Sequence, residues 1–205
     1  MARDTHSIVK MSRREGYALH PKAHKALAKR TTMPGQAANA RMRNKPSQYS
    51  LQLREKQKVK RLYGLLEKQF SNLMKEAGRK QGQAGEVLLQ LLEQRADNAV
   101  YRAGFASSRR AARQLVTHGH FLLNDRRVDV PSIRLKAGDV LTVREHSKHT
   151  EYFKKIDDIS PAPSTTPGWM KVNRKKIELQ VVGAPARDDA EPEINEQLIV
   201  EYYSR

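Results

Sequence analysis

The chain changes its hydrophobic period once, at Gly119, and that change sets the fold class. Ahead of it, apolar residues recur every three or four positions: Val59, Leu62, Tyr63, Leu66, Phe70, Leu73 and Ala77, then Leu88, Leu91, Leu92 and Val100. That spacing is one face of an α-helix. Past it, "HFLLNDRRVDVPSIRLKAGDVLTVRE" gives short apolar runs parted by Asn124-Asp125, Pro131 and Ala137-Gly138-Asp139. Such punctuation belongs to short strands and turns. Helices followed by a few strands predict an α+β protein, with residues 94–156 forming a compact helix–helix–strand domain.

The run "SQYSLQLREKQKVKRLYGLLEKQFSNLMKEAG" reads as one helix closed by Gly78, and "GEVLLQLLEQRADNAVYRAG" as a second closed by Gly104. A third is predicted from Arg109 to Gly119. At roughly 100° per residue, Arg109, Arg110, Arg113, Gln114 and Thr117 share one arc, with His118 at its border. Ala111, Ala112, Leu115, Val116 and Gly119 share the opposite arc. Ser107 or Ser108 can cap the start, and Gly119 can stop it in a left-handed turn. On this reading all three arginines can become Gln without loss of the fold, whereas Leu115→Asp would unfold the domain. Farther on, "DDISPAPSTTPG" is linker by composition. "INEQLIVEYYSR" alternates Leu198, Val200 and Tyr202 against Ile199, Glu201 and Tyr203, which predicts a strand. A lone strand must dock, and Leu66, Phe70 and Leu73 offer a surface.

Charge narrows the class of partner. Lys and Arg number 39 against 22 acids, a net of +17, and such a field concentrates polyanions. The first 61 residues hold 16 basic and 3 acidic side chains, whereas residues 187–205 hold 2 and 6. Arg54, Lys56, Lys58, Lys60 and Arg61 crowd one helical stretch with a single acid among them, where a solvated face usually mixes signs. Residues 1–46 lack sustained periodicity and read as a basic extension of short helices and loops. Cysteine is absent, so disulfides, cysteine-based zinc sites and cysteine nucleophiles are excluded. The histidines lack metal-ligand spacing, and neither a metal nor a cofactor is expected. There is no apolar run of about 18 residues, and "MARDTHSIVKMSRREG" has no signal-peptide core. The chain is expected to be cytoplasmic, with no membrane partner.

The segment "DNAVYRAGFASSRRAARQLVTHGHFLLNDRRVDVPSIRLKAGDVLTV" resembles the S-four RNA-binding module. The likeness reaches further. "SRREG" at 12–16, "PGQ" at 34–36, "QLREKQKVKRLYG" at 52–64, "GWMKV" at 168–172 and "INEQLIVEYYSR" follow the order of the bacterial small-subunit ribosomal protein number four family. The resemblance implies a helical domain over 47–93, completed by 157–205, with the module at 94–156 inserted into it. It also implies a structural constituent of the small ribosomal subunit, not an enzyme. Such a protein binds the five-prime domain of 16S rRNA directly and nucleates assembly. With ribosomal proteins five and three it helps form the messenger RNA entry path and maintain translational accuracy.

Under that resemblance the expected RNA contacts in the arm are Arg13, Arg14, Arg43 and Lys45. In the helical domain they are Arg54, Lys56, Lys58, Lys60, Arg61 and Tyr63. In the module they are Arg102, Ser108, Arg109, Arg110, Arg113, Gln114, His118, His120, Asn124 and Arg126. The sequence departs from the family pattern in places: Ala37 replaces the usual His after Pro-Gly-Gln, Asn124-Asp125 replaces Asn-Gly at the turn, "DTHSIV" at 4–9 replaces a Tyr/Gly/Pro-rich entry, and the N-terminal zinc cysteines of some members are absent.

Two rival readings compete. "KMSRR" at 10–14 and "HGH" at 118–120 resemble the two signatures of class I aminoacyl-tRNA synthetases, some of which carry an S-four module; a pseudouridine synthase is a related possibility. Here the two strings stand in reversed order, and no Gly-rich phosphate loop follows a strand. A general nucleic-acid-coating protein would need only the charge, and would not need the motif order.

Overall fold

The computed structural model describes residues 4–30, 32–35, 45–163 and 165–204. In chain order the elements are α1 (Ile8–Glu15), α2 (Pro21–Lys29), α3 (Gln48–Leu62), α4 (Glu67–Ala77), α5 (Ala84–Glu93), α6 (Ala96–Arg102) and α7 (Arg109–Thr117). Next come β1 (Phe121–Leu123), β2 (Arg126–Val128), β3 (Val140–Val143), and the single turns α8 (Glu145–Lys148), α9 (Glu151–Lys154) and α10 (Ile156–Ile159). β4 (Met170–Asn173), β5 (Glu178–Val181), a 3-10 turn (Arg187–Asp189) and α11 (Glu196–Tyr203) complete the order. The chain folds as two compact units: residues up to Leu88 together with those from Glu193 on, and Leu89–Pro192.

In the first unit α11 lies along α3, and α1 packs on both α2 and α3. Val59, Phe70, Ala77 and Ile199 are fully buried; each large side chain so removed from water contributes about 1.5–3 kcal/mol. Polar bonds fix the register of α11. Gln52 Nε2 donates to Glu201 at 2.8 Å, Tyr203 Oη donates to Glu67 at 3.1 Å, and the Asn195 N–H donates to Glu55 at 2.9 Å.

The predicted terminal strand is therefore corrected to a helix. Asn195 caps it, its side-chain oxygen accepting from the Leu198 N–H at 3.4 Å. On a helix Ile199, not the set Leu198, Val200 and Tyr202, becomes the buried residue. The long helix predicted over 47–78 is likewise two helices. Gly64, at φ 66°, takes the left-handed conformation after α3, and the Leu65 N–H closes back on the Lys60 carbonyl at 3.0 Å. That is the glycine-terminated stop that relieves the last helical carbonyls.

The second unit is built on an antiparallel sheet in the order β2-β1-β3-β5-β4. Phe121 sits opposite Val128 and Val143, and Leu141 opposite Leu179. These residues share one core with Ala99, Val100 and Phe105, with Ala112 and Val116 of α7, and with Phe153 and Trp169. Residues 157–192 were expected to complete the helical domain. They belong instead with the module, because β5 pairs with β3 and carries β4 on its other edge; only the segment from Glu193 on joins the first unit.

The helix predicted over 85–104 is also broken, at Gln94-Arg95. There the Gln94 carbonyl accepts from the Leu135 N–H and the Ala96 N–H donates to the Ile133 carbonyl, both at 2.8 Å. A segment some forty residues away thus takes the backbone groups that a continuous helix would use.

Candidate nucleic-acid interface

α7 forms as its sequence dictates. Ser108 caps it, accepting from the Ala111 N–H at 3.2 Å, and Gly119 ends it at φ 71°. Ala112, Leu115 and Val116 are buried, whereas Arg110, Gln114, Thr117 and His118 are exposed. The arginines on the polar arc are not equivalent. Arg113 donates to Asp97 at 3.0 Å, beside the Arg95–Asp97 pair at 2.9 Å. Arg109 donates to Asn98 at 2.9 Å and to Glu191 at 3.1 Å, and its guanidinium lies 4.6 Å over the Tyr101 ring. Arg102 grips Glu93, which is fully buried. The expectation that three Gln replacements would spare the fold is therefore corrected. Removing Arg113 would strip a partner from a nearly buried carboxylate, a destabilising change, and of the three arginines only Arg110 is exposed.

Where α7 ends, cations gather around Gly119. A Cβ there would meet the Arg127 guanidinium, whose Nε would be 2.6 Å away, and Arg144 donates to the Gly119 carbonyl at 3.3 Å. The His118 and His120 rings lie 6.0 Å apart, and His120 Nδ1 is 3.0 Å from Ser147 Oγ. Burial lowers the His120 pKa, and His118 and Arg144 push it down further. Arg126 and Arg127 are both exposed on β2, an edge strand. Arg127 had not been singled out from sequence; its neighbour at Arg126 carried the only signal. Asn124 has a structural occupation: it donates to Asp139 at 2.9 Å and accepts from the Val140 N–H at 2.9 Å, tying the β1–β2 turn to β3.

In the first unit the basic run of α3 is largely paired with acids, most of them drawn from elsewhere. Arg54 and Arg61 both pair with Glu15 of α1. Burial raises the Glu15 pKa against the lowering pull of the two arginines. Lys56 and Lys60 bind Glu67 at 2.6 and 2.9 Å, and Lys58 binds Glu55 at 2.8 Å. Lys56 is buried, 4.5 Å from the Tyr202 ring centroid, and Tyr63 is buried as well. Arg13 is tied to the Thr32 carbonyl at 2.9 Å, while Arg14 and Lys45 are exposed. Arg43 and Ala37 lie outside the described residues. The sequence reading allowed short helices here but did not single out α2, where exposed Lys22, Lys25 and Lys29 recur at helical spacing and form no ion pair among the described residues. The 3–4 periodicity of those lysines was the available signal.

The strings behind the enzyme reading fall on separate elements. Lys10–Arg14 lies within α1, and 118–120 spans the exit of α7 into β1. Among the described residues no group of three or more His, Cys, Asp or Glu could hold a metal ion, and no helix is long and apolar enough to cross a membrane.

A helical unit and a five-stranded α/β unit, each presenting cations, make up an α+β protein, and comparison of its sequence with known families places it among ribosomal proteins. Residues 3–93 match the ribosomal protein S4/S9 N-terminal domain, and residues 94–141 match the S4 domain. Over the full length of both chains, the sequence is 48% identical to small ribosomal subunit protein uS4 of Clostridioides difficile. It is 47% identical to that of Chloroflexus aurantiacus and 46% to that of a Roseiflexus species, again with complete coverage. The chain belongs to the uS4 family of small ribosomal subunit proteins.

Proposed function

We propose that the protein is a structural, RNA-binding constituent of the small ribosomal subunit, working in the cytoplasm as part of the ribosome. The observation that carries this reading is the full-length identity of nearly half with proteins named small ribosomal subunit protein uS4, across both matched domains. More finely, it binds the five-prime domain of 16S rRNA early and nucleates assembly. It stands beside ribosomal proteins five and three at the messenger RNA entry path and supports translational accuracy.

Physically, the exposed cations supply the attraction. On the second unit these are Arg110, Arg126 and Arg127, joined by the polar Gln114 and His118; on the first they are Arg14, Lys45 and the α2 lysines. Paired cations such as Lys56, Arg61 and Arg113 set the shape that presents them. Arg110 and Arg127 offer forked donors to phosphate oxygens.

The test is binding of the full chain to a five-prime-domain transcript against random duplex RNA of equal length, across a salt series. The transcript should win, and affinity should fall by close to one decade per decade of salt for each phosphate neutralised. Replacing Arg126 and Arg127 together by Gln should weaken binding without moving the melting transition. Co-sedimentation with small subunits after a high-salt wash is the matching observation in a cell extract. Equal affinity for both RNAs would reject the reading.

A further inference from the structure

One oxygen of Glu191 bridges two guanidinium groups. Its Oε1 lies 3.1 Å from Arg109 Nη2 on α7 and 3.5 Å from Arg102 Nη2 at the end of α6. Both arginines are held from behind: Arg102 by the buried Glu93, and Arg109 by Asn98 and the face of Tyr101. Two fixed guanidiniums converging on one oxyanion form a site suited to a phosphate oxygen. Glu191 itself comes from a short strap after the 3-10 turn, where the Arg187 side chain donates to the Glu191 carbonyl at 3.5 Å. Its side chain keeps 23% of its surface exposed and that of Arg109 12%, so water reaches the clamp. Burial raises the Glu191 pKa, and Arg109 and Arg102 more than reverse this, so the group stands ionised.

We propose that Glu191 is an internal substitute for an RNA phosphate, occupying the Arg102–Arg109 clamp in the free protein and yielding it to a phosphodiester when RNA docks. This rests on the reading that the protein binds structured RNA. The exchange replaces one anion by another, so no buried cation is left bare at any stage. The displaced carboxylate returns to water. Random polyanions meet a clamp already filled. An RNA that engages the exposed cations and also places a phosphate over α6 and α7 gains the two arginines.

The experiment compares full-length variants on the five-prime-domain transcript. Glu191→Gln should bind about fivefold tighter, the upper end of what a solvent-screened ion pair that no longer has to be broken is worth. Asp188→Asn removes an exposed acid three residues earlier and should change affinity little, which separates the clamp from general charge. Adding Arg109→Gln to Glu191→Gln should abolish the gain. Equal gains in both acid variants, or a gain that survives loss of Arg109, overturns the proposal.

Should Glu191→Gln fail to fold, the wild-type chain decides: carbodiimide should label Glu191 faster in the RNA complex than in the free protein. Equal or slower labelling overturns the proposal. Failure of the underlying reading looks different, since the wild type would then not prefer the transcript over random duplex.

Discussion

Ile199→Ala should loosen the first unit more than any other single truncation on α11. The side chain is fully buried while its neighbour Leu198 is only partly so. Replacing a buried Ile or Leu by Ala costs about 2–5 kcal/mol, the upper half applying where the surroundings cannot collapse. α11 is tied to α3 by Gln52–Glu201 and to Glu67 by Tyr203, which limits collapse, so about 3–4 kcal/mol is expected. Leu198→Ala, with water already at its side chain, should cost about half as much or less. Hydrogen exchange reads this locally. Amides of α3 around Val59 and Leu62 should lose roughly two or more decades of protection in Ile199→Ala, while β3 and β5 of the second unit serve as an internal reference. For a domain of this size each kcal/mol also lowers the melting temperature by about 4–8 °C. A strand would bury Leu198 and Val200 and turn Ile199 away. If Leu198→Ala proved as costly as Ile199→Ala, the helical docking would be wrong.

Asp125→Gly should stabilise the second unit by about 0.5–1 kcal/mol in thermal melts, because Asp125 sits at φ 65° where glycine is unstrained. Asn124→Ala should destabilise it by about 1–3 kcal/mol, through lost bonds to Asp139 and Val140. Gly85→Ala, which would raise helix propensity by about 1 kcal/mol at an open site, should instead be destabilising. A Cβ there meets Glu196 at 2.8 Å, and protection should fall first in α11. The Glu67 carboxyl is raised by burial but brought down to about 2 overall by its bonds from Lys56 and Lys60. Its contribution is present above pH ~4.5 and is lost as pH falls toward 2. Because the side chain is 48% exposed, that contribution is about 1 kcal/mol after screening. Urea midpoints between pH 2 and 6 should show it, and Glu67→Gln should flatten that limb.

α7 was legible because everything that makes it is local: Ser108 at its start, Gly119 at its end, and two residue classes on two arcs. The break at Gly64 carried a local sign in the glycine, but the hydrophobic period runs on through it and masks the stop. The break at Gln94-Arg95 carried none, since its cause is bonding to Ile133 and Leu135. In α11, β-branched Ile199 and Val200 satisfy both periods over so short a span, and the deciding signal was Asn195 as a cap. Charge type was readable and charge pairing was not. The acids facing α3, Glu15 and Glu67, stand outside the basic run, and only folding reveals which cations they occupy. The uneven roles of Arg109, Arg110 and Arg113 follow for the same reason.

The first unit is closed by a helix that leaves the ribosome only after all of residues 89–192 have been made. A nascent chain can therefore complete its later unit before its earlier one, the reverse of the usual N-terminal-first order. Until residues 193–204 arrive, the α3 surface around Lys56 and Val59 lacks Tyr202, Tyr203 and Ile199, and Lys58 lacks the Glu193 carbonyl that accepts from it at 2.8 Å. Joining α3 to α11 also closes a loop of well over a hundred residues, a chain-entropy cost that slows the step relative to the local helices. A chain stalled just after the second unit would hold a folded five-stranded sheet while α3 still lacks its α11 cover. Final maturation of the N-terminal unit is thus timed by the synthesis of its most distant residues.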